Sequence, residues 1–155
     1  PVIVAVALIA GGVAILAIER MVKQVRFASI EAIPFGTALS IGLVQCMAMV
    51  PGVSRSGATI MGSLLMGVER KTAAEFSFFL AVPTMIAATV YALWKDRALL
   101  SGDDLGMIAI GFVTAFLVAV VVVRAFVAVV GRYGFAPFAW YRIVVGGIAL
   151  VWLTL

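Results

Sequence analysis

The run AIPFGTALSIGLVQCMAMVPGVSRSGATIMGSLLMGV, Ala32 to Val68, decides how this chain folds. Over its 37 residues Arg55 is the only charged side chain, and Pro51-Gly52 interrupts the run near its middle. Proline withholds a backbone donor and glycine frees φ, so a helix ends there. The arm before the break, Pro34 to Val50, would be ~25 Å long as a helix, and the arm after it, Gly57 to Val68, ~18 Å. The second arm is too short for a hydrocarbon core of about 30 Å. If the first arm spanned the core fully, Glu69, Arg70 and Lys71 would be stranded in hydrocarbon. The lengths therefore predict a re-entrant helical hairpin over 32–68, its non-helical tip at Pro51–Gly57 buried in protein rather than lipid. The small-residue pairs Ala58/Gly62 and Ser63/Gly67 would let the two arms approach closely, or reflect only the ordinary frequency of glycine in membrane helices.

The rest of the chain agrees with a membrane setting. Of 155 residues 65% are hydrophobic and 12% charged, with a mean hydropathy of +1.26, well above the apolar content of soluble domains. Alternation of period two is absent, which favours helices over a barrel. The expected fold is all-α, a single polytopic membrane domain over 1–155. Its transmembrane helices fall at 1–18, 76–94, 105–123 and 135–155, with the hairpin at 32–68, a kink at Pro83 and a short polar loop from Lys95 to Asp104. The net charge of +4 and pI near 9.7 do not point to nucleic acid, because the basic residues stand at the ends of apolar segments. Arg20, Lys23, Arg26, Arg70, Lys71, Arg124 and Arg132 fall on one side, against Lys95 and Arg97 on the other. The positive-inside rule places the larger group, with the mouth of the hairpin, in the cytoplasm. No cleaved signal peptide is recognisable, and a start at Pro1 suggests a fragment. Cys46, the single cysteine, precludes an intrachain disulfide.

Arg55 at membrane depth requires a compensating partner or an anionic ligand. Its neighbours favour the ligand. A guanidinium offers a planar fork to phosphate oxygens, Ser54, Ser56 and Thr59 add short hydroxyl donors, and Gly52 and Gly57 admit backbone amides. Gly57 is expected to open the second arm, whose N-terminus adds free N–H groups and a positive dipole end. The bland alternative is a structural salt bridge from Arg55 to an unseen carboxylate. Two lookalikes fail: Ala58 replaces the lysine of a phosphate-binding loop, and Ser56 the second glycine of a hydrolase elbow. Gln45 either contacts the site or ties the two arms together. Glu75 pairs with a basic group or ends in water, Arg142 is expected to snorkel to an interface, and Trp94, Trp140, Tyr141 and Trp152 read as interfacial anchors.

PGVSRSGAT, preceded by IGLVQCMAMV and followed by AAEFSFFLAVP and FAWYRIVVGG, resembles the carboxy-terminal half of the undecaprenyl-diphosphate phosphatases, the bacitracin-resistance membrane proteins. The resemblance implies hydrolysis of undecaprenyl diphosphate to undecaprenyl phosphate and phosphate in the bacterial inner (plasma) membrane, which recycles the lipid carrier for cell-wall synthesis. It implies a required arginine at Arg55, with Ser54 and Thr59 beside it. It also implies an inverted-repeat fold, whose site lies between repeats. The family's other half carries a Glu-rich motif and a histidine, and this chain contains no histidine. A divalent cation, Mg or Ca, is accordingly expected to be held mainly by that N-terminal half, with Arg55 holding the diphosphate and Ser54 either nucleophile or hydrogen-bond donor. Further partners are membrane lipid and, left open, a second copy of the chain. The rival reading is an anion or lipid-carrier transporter, since broken helices whose N-termini face an anion also build channels and exchangers.

Overall fold

In the computed structural model, six helices follow one another among the described residues. They are α1 (Val2–Met21), α2 (Phe35–Gln45), α3 (Arg55–Leu65), α4 (Arg70–Lys95), α5 (Asp104–Tyr133) and α6 (Ala136–Thr154), with 3₁₀ turns at Ile30–Ala32 and Cys46–Met49. The structure describes residues 2–22, 24–97 and 104–154; Pro1, Lys23, Leu155 and positions 98–103 of the polar loop lie outside them. Among the described residues there is no strand, only an isolated bridge between Phe27 and Val68. Among the described residues four helical stretches are long and apolar enough to cross a membrane: Val2–Met21, Arg70–Lys95, Gly106–Tyr133 and Ala136–Leu153. Their outer surfaces carry large apolar side chains, with Phe112 72% and Trp152 81% exposed, a pattern that fits lipid rather than water.

Helix α1 packs antiparallel on α6 through glycines. A Cβ on Gly12 would come within 2.6 Å of Ile143 and 2.8 Å of the Ala139 carbonyl, and one on Gly146 within 2.8 Å of Ile9 and 2.9 Å of the Ala5 carbonyl. The backbones therefore touch with nothing between them. The core gathers at one end of the bundle, where Ile15, Ile60, Leu64, Val68, Ala73, Val130, Phe135 and Ala139 meet.

The 32–68 run is broken as its proline and glycine require, and the segment that leads into it, residues 26–27, lies against its far end. Arg26 N and Phe27 N both donate to Gly67 O at 2.7 and 3.1 Å, and Glu69 N donates to Phe27 O at 2.9 Å. The arms pack on each other, with Gly62 under Val44, where a Cβ would sit 2.9 Å from the valine Cγ1. Gly67 serves a different purpose from the helix pairing expected of it. It turns the chain at φ +87 against the Arg26 side chain.

Several boundaries differ from those predicted. The break is shorter than Pro51–Gly57, because α3 begins at Arg55. Helix α1 runs on past Ile18 to Met21, and α4 begins at Arg70 rather than 76 and continues through Pro83. Helix α5 extends ten residues beyond Val123 to Tyr133. The shared reason is that a charged side chain marks where a segment can leave hydrocarbon, not where its backbone hydrogen bonding stops. In α5 the continuation past Arg124 is held by Val130, which is fully buried, and by Phe126, edge-on to Phe78 at 5.7 Å.

Gly146 and its neighbour Gly147 should respond oppositely to alanine. Gly146→Ala must push α1 and α6 apart and is expected to cost about 1–3 kcal/mol. Gly147, with no atom within 4 Å of its Cβ position, should be neutral or gain up to ~1 kcal/mol from helix propensity. Thermal unfolding of both variants in detergent, followed by circular dichroism, measures the difference.

Candidate functional site

The break is built by four successive backbone choices. Gly52 adopts φ +92, and a Cβ there would lie 2.7 Å from the Ala7 Cβ and 3.0 Å from the Val4 Cα, so the tip sits directly on α1. Val53 N returns to Val50 O at 3.1 Å. Ser54 is extended (φ −72, ψ 127) and caps α3, its Oγ accepting from Gly57 N at 3.1 Å. Ala58 N closes the first helical bond onto Ser54 O at 2.9 Å. Gly57 therefore lies inside the first turn and does not open the arm. The cap could form because serine bonds the third helical amide without help from Gly57's flexibility. Ser56 Oγ lies 3.2 Å from Ser54 Oγ on the exposed side of the turn.

The remaining candidates separate. Arg55, half-buried, donates from Nη1 to Thr84 Oγ1 on α4 at 3.0 Å. Thr84 Oγ1 is in turn folded back on the carbonyls of Leu80 and Ala81 at 2.8 and 2.9 Å. No carboxylate pairs with Arg55 among the described residues. Thr59 is fully buried; its hydroxyl donates to Arg55 O at 2.9 Å and reaches Gln45 Oε1 at 3.4 Å. Gln45 and Thr59 thus tie the two arms together beneath the break. Glu75 sits 3.9 Å from Lys71 on the same exposed helix face.

Arg142 departs most from expectation. Instead of snorkelling outward, its side chain crosses from α6 to the break. Nη2 lies 3.4 Å from Ala7 O and 3.5 Å from Gly52 O, at the outer limit of a hydrogen bond. Nη1 is 3.7 Å from the Cβ position of Gly57, and Nε is buried without a partner among the described residues. The sequence signal was the same as for Arg55, an isolated charge in an apolar run. Its place near a helix start concealed which neighbour it meets. Thr84 carried no comparable signal, being one threonine in an apolar helix.

Ser54, Gly57 and Arg142 also line one rim of a cavity of about 590 Å³ whose other walls are apolar, among them Ala10, Ile15, Val44 and Met61. The break therefore offers the Ser54 hydroxyl, the first turn of α3 and the Arg142 guanidinium beside an apolar recess, with Arg55 turned toward α4. This donor set suits an anion. It does not fit a divalent cation, which wants clustered carboxylates; no carboxylate lines the cavity, and no three His, Cys, Asp or Glu side chains gather among the described residues.

The model of the bacitracin resistance protein BacA family matches residues 1–148. The chain belongs to that family. It is 74% identical over 99% of its length to an undecaprenyl-diphosphatase of Sphingopyxis alaskensis and 61% identical over 99% to one of Rhizorhabdus wittichii. It is 59% identical over 97% to undecaprenyl-diphosphatase 2 of Paramagnetospirillum magneticum. In each case the chain spans 58% of the relative's own length. Within this family member, the three positions singled out by the resemblance have distinct settings: Ser54 caps, Arg55 reaches outward to α4, and Thr59 is internal.

The cap makes a direct prediction. Ser54→Ala removes the acceptor for Gly57 N and should destabilise α3 by about 1 kcal/mol, while Ser54→Asn, which also caps, should restore most of it. Hydrogen exchange of the Gly57 amide, expected to quicken in the alanine variant alone, checks this.

Proposed function

We propose that the break between α2 and α3 is one wall of a site that hydrolyses undecaprenyl diphosphate to undecaprenyl phosphate and phosphate. The observation that carries the reading is the pairing of one guanidinium and a hydroxyl with an apolar recess, Arg142 and Ser54 both lining the 590 Å³ cavity. A ligand that matches both is anionic at one end and hydrocarbon at the other. The names of the relatives, undecaprenyl-diphosphatase, agree with it.

In this reading the diphosphate lies against the first turn of α3. The bond broken joins the terminal phosphorus to the bridging oxygen. The leaving group is undecaprenyl phosphate, and water's oxygen ends on the released phosphate. Charge spreads over the phosphoryl oxygens in the transition state, where arginine forks and helix amides stabilise it. Arg55 is the residue we assign to the diphosphate, with Arg142 joining it from α6. Ser56 and Gly52 border the turn, while Thr59 and Gln45 act by holding the arms. Ser54 has two partners, the Gly57 amide and the Ser56 hydroxyl, and neither is a base, which favours a donor role over that of nucleophile. A divalent cation would be held by carboxylates supplied outside the described residues.

Placement follows from the same observations. The hydrogen bonds joining residues 26–27 to 67–69 support a re-entrant hairpin whose ends share one membrane face. The basic side chains at that end, Arg20, Arg26, Arg70, Lys71 and Arg132, favour the cytoplasmic face of a bacterial inner membrane. The relatives' greater length supports a second repeat that completes the site.

The test is phosphate release from undecaprenyl diphosphate in detergent by the full-length protein as encoded, beside an anion-flux assay in liposomes. Arg55→Lys keeps the charge and loses the bidentate fork, and should lower the rate about 10²–10³-fold. The residues 1–155 alone should release none, having no histidine. A wild-type protein that moves anions and releases no phosphate would replace this reading with transport.

A further inference from the structure

We infer that Glu19 is a positioning residue that sets the hairpin and α6 in register at the proposed site. Glu19 lies near the end of α1, far along the helix from the Ala7 carbonyl that meets Arg142. Its Oε1 accepts from Phe135 N at 3.0 Å and stands 3.1 Å from Arg70 Nε. The glutamate side chain is only 12% exposed, against 51% for the arginine. Gly134 turns the chain at φ +70, and a Cβ there would occupy the place of the Glu19 Oε1 atom. The corner between α5 and α6 is thus shaped around this carboxylate.

Each bond fixes an element that carries part of the site. Phe135 N is the threshold of α6, and Arg142 follows it by ~10 Å of rigid helix. Arg70 begins α4, directly after Glu69, whose amide closes the outlet of the hairpin on Phe27 O at 2.9 Å. Helix α4 then carries Thr84 to Arg55 at 3.0 Å. Helix α1 itself seats the tip at Gly52 through Ala7 and Val4. One carboxylate therefore references both guanidiniums and the loop between them to a single point.

A helix slipped by one residue moves ~1.5 Å along its axis, and a misplacement of about 1 Å in a positioning group can cost ~10²-fold in rate. Because Glu19 acts only by aiming the two arginines at the charge that develops on the phosphoryl group, its loss should fall mainly on kcat. Glu19→Gln, which keeps an acceptor for Phe135 N and loses the ion pair, should fall between wild type and Glu19→Ala.

The inference rests on the phosphatase reading for its kinetic arm and not for its structural one. In the full-length protein, kcat of Glu19→Ala should fall about 10²-fold. Adding Arg142→Lys should then lower it no further than Arg142→Lys does alone, since two changes acting through one group are not additive. Spin labels on Met49→Cys and Tyr141→Cys, with Cys46→Ala, should report a broadened distance between hairpin and α6 in Glu19→Ala and Glu19→Gln. Arg20→Ala should leave it unchanged. Wild-type kcat in Glu19→Ala, multiplicative losses in the double variant, or an unaltered distance overturns the inference; glutamine keeps the glutamate's shape, so a misfolded alanine variant leaves the test intact. Absence of phosphate release by the wild type sinks the phosphatase reading instead, and the distance then decides Glu19 alone.

Discussion

Backbone groups released by a helix break inside an apolar bundle have no water to turn to, so protein must satisfy them. At Pro51-Gly52 that demand is met locally by the Val53–Val50 turn and the Ser54 cap, and at longer range by the Arg142 guanidinium near Gly52 O. The rest of the arrangement follows. Ser54 must be extended to cap, which starts α3 at Arg55 and turns Thr59 inward. Gly52 must be left-handed and bare to sit on α1, which draws α1 and then α6 against the tip.

The electrostatics of the break come from what its two arginines lack. Arg55 is bonded to a neutral hydroxyl and Arg142 to two distant carbonyls, while the N-terminus of α3 adds a positive dipole end beside them. Nothing among the described residues supplies the opposing charge at this place. Glu19, whose side chain is 12% exposed, is already engaged by Arg70 and the Phe135 amide. An uncompensated positive potential in a poorly solvated setting favours anion binding far more than the same charges would in water.

The bundle is tight at one end and open at the other. Its core and the Glu19 ties lie where the entry to the hairpin, the start of α4 and the α5–α6 corner meet, whereas the far reaches of α4 and α5 expose Tyr91, Trp94, Met107 and Ile110. Stability is thus concentrated around the hairpin's outlet. The tip, contacting chiefly α1 and Arg142, is anchored by fewer neighbours.

Composition and the run from Ala32 to Val68 were enough to show an all-helical chain, the helix break and the unusual standing of Arg55. Those properties are local: apolar length, a missing proline donor and an isolated charge are written in consecutive residues. The same residues placed Ser54 beside Arg55 but could not tell which hydroxyls face outward, because that depends on the helical phase set by the cap. Helix ends past Ile18 and Val123 were misjudged because charge marks solvation and not backbone hydrogen bonding. Arg142 and Thr84 were invisible as neighbours of the break, and so was Glu19 as the point that holds their helices. These contacts join residues 29 to 135 positions apart, and only the packing of glycine-faced helices at backbone contact decides which distant side chains come within a hydrogen bond of each other.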